Sequence, residues 1–449
     1  MKIPTFVALL TAVIASAAMG SDWPQLQNGP ARLGYTPERI GPVLKNRWAV
    51  GFAPERLFPG TQPIVADGKV FIGTAMGTFH ALNAESGKSA WKFKANGPIL
   101  HTAGVADGKV FFGCMDGRVY ALNVSDGTEV WTFDSKRRTG FSTAVLLADS
   151  RVHIANRDGT VYALAQADGR VVWQHKLEAP VLMSSALSDG KLYVPAMDMR
   201  VYALDAATGK RLWVSKTLTG AALKDYWPVA YKGFVIIRTQ RKYGKGAPNF
   251  AIKWQTGMLP KEELDRQLRL IEIYRKGNPS YQDMFVLDAA TGEEAFLPPH
   301  FAVNAMNGAV PPPCVDGDGL LIVPATIHSW YAGWGRLDLE AQRIVEVMTH
   351  KEPNRNGRPV GTGNTDETLN VSAAGRVVLA FHTEECNAHF TGIWDLDKHR
   401  WTNVRPYHAD NLYTQNTQGG GGSPPVIANG MVLHTSWNTL NARVQEDEK

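Results

Sequence analysis

The stretch VYALDAATGKRLW, Val201 to Trp213, is the fourth version of a phrase the chain has already used three times. FHALNAESGKSAW closes at Trp91, VYALNVSDGTEVW at Trp131 and VYALAQADGRVVW at Trp173. The closing tryptophans stand 40, 42 and 40 residues apart, and a fixed period of this length marks a repeat protein. Each copy is a short alternating run that breaks at a glycine-containing pair and resumes into a run ending on Trp, the pattern of strand, tight turn and strand. Upstream of the four copies lie PIVADGKVFIG, AGVADGKVFFG, VLLADSRVHIA and ALSDGKLYVP, which read the same way. One repeat therefore holds four short antiparallel strands.

A four-stranded sheet of about 40 residues cannot bury both faces alone, and the architecture that stacks such sheets radially is a β-propeller. The Ala-Leu-Asp-Ala-x-Thr-Gly-Lys-x-x-Trp pattern resembles the tryptophan-docking motif of the pyrroloquinoline-quinone (PQQ)-like β-propellers. That group takes in quinoprotein dehydrogenases, the propeller lipoprotein of the outer-membrane barrel assembly machinery, and many secreted bacterial proteins. The resemblance implies an all-β fold with Trp48, Trp91, Trp131, Trp173 and Trp213 as structural docking residues. It specifies the fold and leaves the function open.

The two ends of the chain complete the ring. LKNRWAV, Leu44 to Val50, offers a strand whose Trp48 precedes Trp91 by 43 residues, while PPVIANGMVLHTSWNTLNARV near the C-terminus supplies only three strands. The expected closure has the N-terminal strand completing the last blade, which removes a free sheet edge and makes eight blades. Before it, DWPQLQNGPARLGYTPE, from Asp22, resembles the Asp-Trp-Pro lead-in of secreted propellers of this family. Lys2, the apolar run Phe6 to Ala15 and the small residues that follow read as a signal peptide over residues 1–20, with one propeller domain over 21–449. That run is too short to span a membrane. A soluble periplasmic or secreted protein, monomeric, is the expectation.

A net charge of +5 over 449 residues, with no basic run longer than Lys136-Arg137-Arg138, gives no support to a nucleic-acid partner. Cys114, Cys314 and Cys386 are far apart in sequence. They read as small buried residues, with a Cys314–Cys386 pair as the alternative.

In an up-and-down blade, the loops joining strands 2 to 3 and one blade to the next share one rim, and those joining strands 1 to 2 and 3 to 4 share the other. Here the second set consists of short Asp-Gly or Gly-Lys turns. The first set carries the long insertions, all in blades 5 to 8, including one over about 240–283 with a helix pattern. Surplus loops on a rigid scaffold are where function is expected. ATIHSWYAGWG, read as a loop, offers His328, Trp330 and Trp334; HTEECNAHF offers His382, Glu384, Glu385 and His389; Asp366 and Glu367 precede blade 7. Such aromatic and carboxylate density suits a carbohydrate ligand or a protein partner. The bland readings are solvated loops and tryptophans that cover neighbouring structure. The spacing of these His and Glu residues matches no defined metal site, so no metal is expected. Arg137, Arg138, Tyr226 and Trp227 precede innermost strands and form an alternative site in the central funnel.

The resemblance also raises PQQ with calcium as a cofactor. Quinoprotein dehydrogenases hold it beside a disulfide between adjacent cysteines, which this chain lacks, so no cofactor residue is carried over. The leading expectation is an exported binding or scaffold propeller. The alternatives are a quinoprotein-like oxidoreductase and a carbohydrate-active enzyme using the rim carboxylates as acid and base.

Overall fold

A computed structural model describes residues 21–41, 44–58, 60–240, 261–298, 312–328, 331–348, 369–382, 391–405, 423–435 and 438–445. Their strands form eight sheets of four antiparallel strands, one of them joined by the short parallel strand Tyr35–Thr36 on Leu369–Ala374, the eight-bladed propeller expected from the repeat. Blade 1 is representative: Ile64–Ala66, Lys69–Gly73, Thr78–Asn83 and Ser89–Lys94 run outward in chain order. The middle strands are almost wholly buried and the outermost alternates towards solvent, because only inner strands have a blade on each face. Leu44–Gly51 pairs antiparallel with Thr439–Gln445, so this strand from the N-terminal region closes the last blade.

A recurring contact joins one blade to the next. The indole Nε1 of Trp48 donates to the Ala84 carbonyl at 2.9 Å, Trp91 to Val124 at 3.0 Å, Trp131 to Gln166 at 3.0 Å, Trp173 to Ala206 at 3.0 Å and Trp213 to Ala289 at 3.2 Å. Each ring also lies over a glycine of the following blade. At Gly127, where φ is +76°, a Cβ would stand 2.5 Å from the Trp91 ring, so the residue must lack a side chain both for the turn and for the contact.

Between blades 6 and 7 an ion network takes over this role. Arg336 Nε donates to Asp316 at 2.7 Å, and its terminal nitrogens donate to Glu346 at 2.7 Å and Asp318 at 2.5 Å. Arg376 of blade 7 reaches Asp318 and Asp397, and His399 reaches Glu346 at 2.9 Å. Burial raises the Asp318 pKa, but hydrogen bonds from Arg376 and Arg336 outweigh it and hold the carboxyl below its ordinary range.

A helix, Lys261–Gly277, lies between the second and third strands of blade 5. One sequence expectation is corrected in blade 6. ATIHSWYAGWG is for the most part strand, because Leu321–His328 and Tyr331–Asp338 continue as one long hairpin, pairing Pro324 with Trp334 and His328 with Tyr331. Cross-strand pairing satisfies backbone groups that a loop would leave to water.

The lead-in of the chain occupies the axis. Residues 21–36 pass the blades in ring order. The carbonyl of Ser21 accepts from Asn429 N of blade 8, Trp23 from Val65 of blade 1, Pro24 from Val105 of blade 2, and the side-chain oxygen of Gln25 from Leu147 of blade 3. After a tight turn, Pro30 accepts from Leu187, Ala31 from Ala230, Leu33 from Val315 and Gly34 from Ala373, in blades 4 to 7. Thr36 adds Gly375. In blades 1 to 6 the donor is the second residue of the innermost strand. That strand is an edge, and alternate N–H groups point away from its partner; the segment meets that row mainly as an acceptor, with Trp23 N also donating to Val65 O at 2.8 Å. Positive φ at Gln27, Asn28 and Arg32 bends the segment into a circuit. Because these donors lie beside the strand 1 to 2 turns, the circuit sits towards the short-turn rim.

Candidate functional site

The structure places the rim candidates unequally. Trp334 is a strand residue, fully buried in a cluster with Cys314, Ile322, Val378 and Trp394, so it has no surface to offer a ligand. His328 ends the second strand of blade 6 and His382 ends the second strand of blade 7. Both strands are the second of adjacent blades and run in the same sense, so their ends face the same rim, with the blade 6 strand two residues the longer. Trp330, Asp366, Glu367, Glu384, Glu385 and His389 lie outside the described residues, as does Cys386. Cys114 and Cys314 are both buried.

Of the funnel candidates, Arg137, Tyr226 and Trp227 make structural contacts. Arg137 Nε donates to the Tyr162 hydroxyl at 3.1 Å and its terminal nitrogen to Asp158 at 2.6 Å. Arg138 is exposed. Tyr226 accepts from Ser184 N through its carbonyl at 2.8 Å. Trp227 is 2% exposed and belongs to an apolar cluster with Leu26 and Ala144.

Sequence reading missed a polar network that crosses the centre between the segments leading into the blades. Gln62 Nε2 donates to Pro424 O at 3.0 Å, and Gln62 N donates to Thr102 Oγ1 at 2.9 Å. Gln62 Oε1 accepts from Gln27 N at 2.7 Å and from Trp23 Nε1 at 3.2 Å. Ser184 Oγ accepts from Ala144 N at 2.9 Å and lies 3.2 Å from His101 Nε2. Blades 1 and 8 and blades 2, 3 and 4 are thereby braced, with Gln62 joined to blade 2 through Thr102. The available signal was His101 itself, a histidine in PILHTAG where the other regular blades have none.

A buried Ser–His contact invites a catalytic reading, which the tautomer excludes. Thr102 N donates to His101 Nδ1 at 2.9 Å, so Nδ1 is an acceptor and the ring proton sits on Nε2, facing Ser184 and the Asp225 backbone. A general base must present a lone pair to the hydroxyl it activates. Burial, reinforced by the charge of Arg32, lowers the His101 pKa to about 3, so the ring stays neutral and acts as a brace.

Arg32 is the buried cation of the axis. It is fully buried, donating to Ser185 O at 3.1 Å, Val145 O at 3.1 Å and Leu26 O at 2.9 Å. Burial lowers its pKa to about 9, which leaves it charged at neutral pH, held by carbonyl dipoles.

The family described as outer membrane protein assembly factor BamB matches residues 45–148 and 115–257. No curated protein matches the sequence. BamB from Moraxella catarrhalis superposes with a TM-score of 0.57 at 14% identity, covering 90% of this chain and 100% of that one. Quinohemoprotein alcohol dehydrogenase from Comamonas testosteroni gives 0.61 at 14% identity over 97% and 83% of the two chains. The computationally designed Ika8 protein gives 0.55 at 12% identity over 89% and 100%. The resemblance read from the repeats stands, and proteins of such different description share the architecture without sharing a role.

A quinone cofactor with calcium is not fitted by the described residues. Cys114 and Cys314 are buried in different blades, and no two cysteines are adjacent in the sequence. The axial cation, Arg32, is engaged by carbonyls.

Proposed function

We propose that this chain is an exported propeller that binds a carbohydrate or protein partner on the rim carrying its insertions. One observation carries the reading: the edge donors of the innermost strands are taken up by the chain's own residues 21–36, whereas the strand order makes the long connections of blades 5 to 8 those that start from the opposite rim. Rigid rings with elaborated loops on one rim suit recognition, because the scaffold supplies the positioning and the loops the chemistry. His328 and His382, ending equivalent strands of adjacent blades, would flank the site, with Trp330 as a stacking platform and Asp366, Glu367, Glu384, Glu385 and His389 as hydrogen-bonding groups. The basic Lys2 and the apolar run Phe6 to Ala15, read as a signal peptide, support export.

The test is a glycan array probed with labelled protein, alongside photo-crosslinking from positions 330 and 385 to protein partners. The reading expects a defined glycan class or a discrete crosslinked partner, lost in Trp330→Ala and in the double variant Glu384→Gln, Glu385→Gln with the melting curve unchanged. Undiminished binding in both variants moves the site to the funnel around Arg137, Arg138 and Tyr226.

A further inference from the structure

We infer that the axis of the ring is a peptide-binding site, and that residues 21–36 are its resident ligand, carried in cis. The segment is treated by the ring as an added strand is treated by a sheet edge: its carbonyls meet the outward N–H groups of the innermost strands. The match extends around the full circle, since one inner-strand or strand-end donor from each of the eight blades is taken up in the order 8, 1, 2, 3, 4, 5, 6, 7. In blade 3 the contact is made by the Gln25 side chain, whose amide both accepts from Leu147 N at 3.1 Å and donates to Leu147 O at 3.2 Å, standing in for a peptide group.

Two further features belong to a bound ligand rather than to a linker. Arg32 is an anchor residue, fully buried and reaching carbonyls of blades 3 and 4 as well as Leu26 of its own segment. Trp23 is a second, with no exposed surface and its indole on Gln62 of blade 1. Buried Trp and Arg anchors surrounded by main-chain pairing are the usual makings of a tight peptide complex.

The experiment uses the full chain with a protease recognition sequence inserted between Gly41 and Leu44, cut after folding. The nicked segment is expected to co-elute with the ring on gel filtration and to resist exchange with a fluorescent synthetic peptide of residues 21–41. In the nicked Arg32→Met protein exchange should run at least about tenfold faster, since a charged donor to several carbonyls is lost. Excess peptide should raise the melting temperature of that nicked variant by mass action. Should Arg32→Met not fold before nicking, Thr36→Val replaces it, with a smaller acceleration expected. Immediate loss of the nicked segment with an unchanged melting temperature would overturn the inference, as would exchange at the same rate in wild type and variant.

Discussion

Ser21 Oγ and Thr36 Oγ1 lie 2.7 Å apart, so the axial segment meets itself after passing all eight blades. Thr36 has no exposed surface, and Ser21 also donates to Glu38 at 3.3 Å. A hydrogen bond that closes a circuit fixes its circumference, and the circumference must fit the ring of edge donors. Thr36→Val keeps the shape and removes the bond. It is expected to cost about 1–2 kcal/mol, the penalty for a buried pair losing one partner, measured by denaturant unfolding. No change would mean that the circuit is held by its contacts with the blades alone.

Trp131 is 9% exposed, bonded to the next blade and lying over Gly169. Trp131→Ala is expected to destabilise by about 3–5 kcal/mol, as for other large-to-small changes of buried aromatics, and to lower the melting temperature markedly. An unchanged melting curve would remove the tryptophans from the list of interblade supports.

Deleting Leu44–Gly51 takes the outermost strand from blade 8 and exposes the edge of Thr439–Gln445. The deleted protein is expected to aggregate. A soluble monomer of wild-type stability, by light scattering and thermal melting, would contradict closure at this strand.

His153 occupies the position of Phe71, Phe111 and Tyr193 in the neighbouring blades. Each of the four rings faces a docking tryptophan, at centroid distances of 5.7 Å for His153, 5.8 Å for Phe71, 5.7 Å for Phe111 and 5.8 Å for Tyr193. Fully buried, with neither ring nitrogen hydrogen-bonded among the described residues, it has its pKa lowered to about 4, chiefly by burial and secondly by Arg151. The unfolded chain, with a pKa of about 6.5, therefore takes up the proton first. The neutral ring's share of stability is complete above pH ~6.5 and falls between there and pH ~4, by roughly 3 kcal/mol. His153→Phe is expected to flatten stability over that window; a variant as acid-sensitive as wild type would place the titration on other groups.

Arg336 is buried and serves three carboxylates. Arg336→Met leaves Asp316 and Glu346 buried without their cation, and a loss of about 3–5 kcal/mol is expected. The double variant Arg336→Met, Glu346→Leu should recover part of it, which denaturant unfolding would reveal as non-additivity.

The ring was legible because its information is periodic: Trp91, Trp131, Trp173 and Trp213 announce blades, and the strand missing from the C-terminus points to Leu44–Gly51. The axial circuit was not, because DWPQLQNGPARLG has no period and its partners lie in every blade, as far away as Ala373 and Asn429. Such a Pro- and Gly-rich stretch reads locally as a linker. Trp334 was misjudged as a loop residue for a related reason. Whether an aromatic beside a turn is rim or core depends on how far the hairpin extends, and pairing of Pro324 with Trp334 is a tertiary outcome. His101 illustrates the converse, a polar residue whose environment is assembled from segments more than 80 residues apart.

Recognition at the elaborated rim is tested most directly by hydrogen exchange on the purified protein, with and without the glycan or protein partner obtained by array or crosslinking. The proposed function predicts new protection at the strand ends around His328 and His382 and in the segments linking blades 5 to 8, with the Asp-Gly turns of blades 1 to 4 unchanged. Protection confined to those turns, or to Arg137, Arg138 and Tyr226, would contradict it.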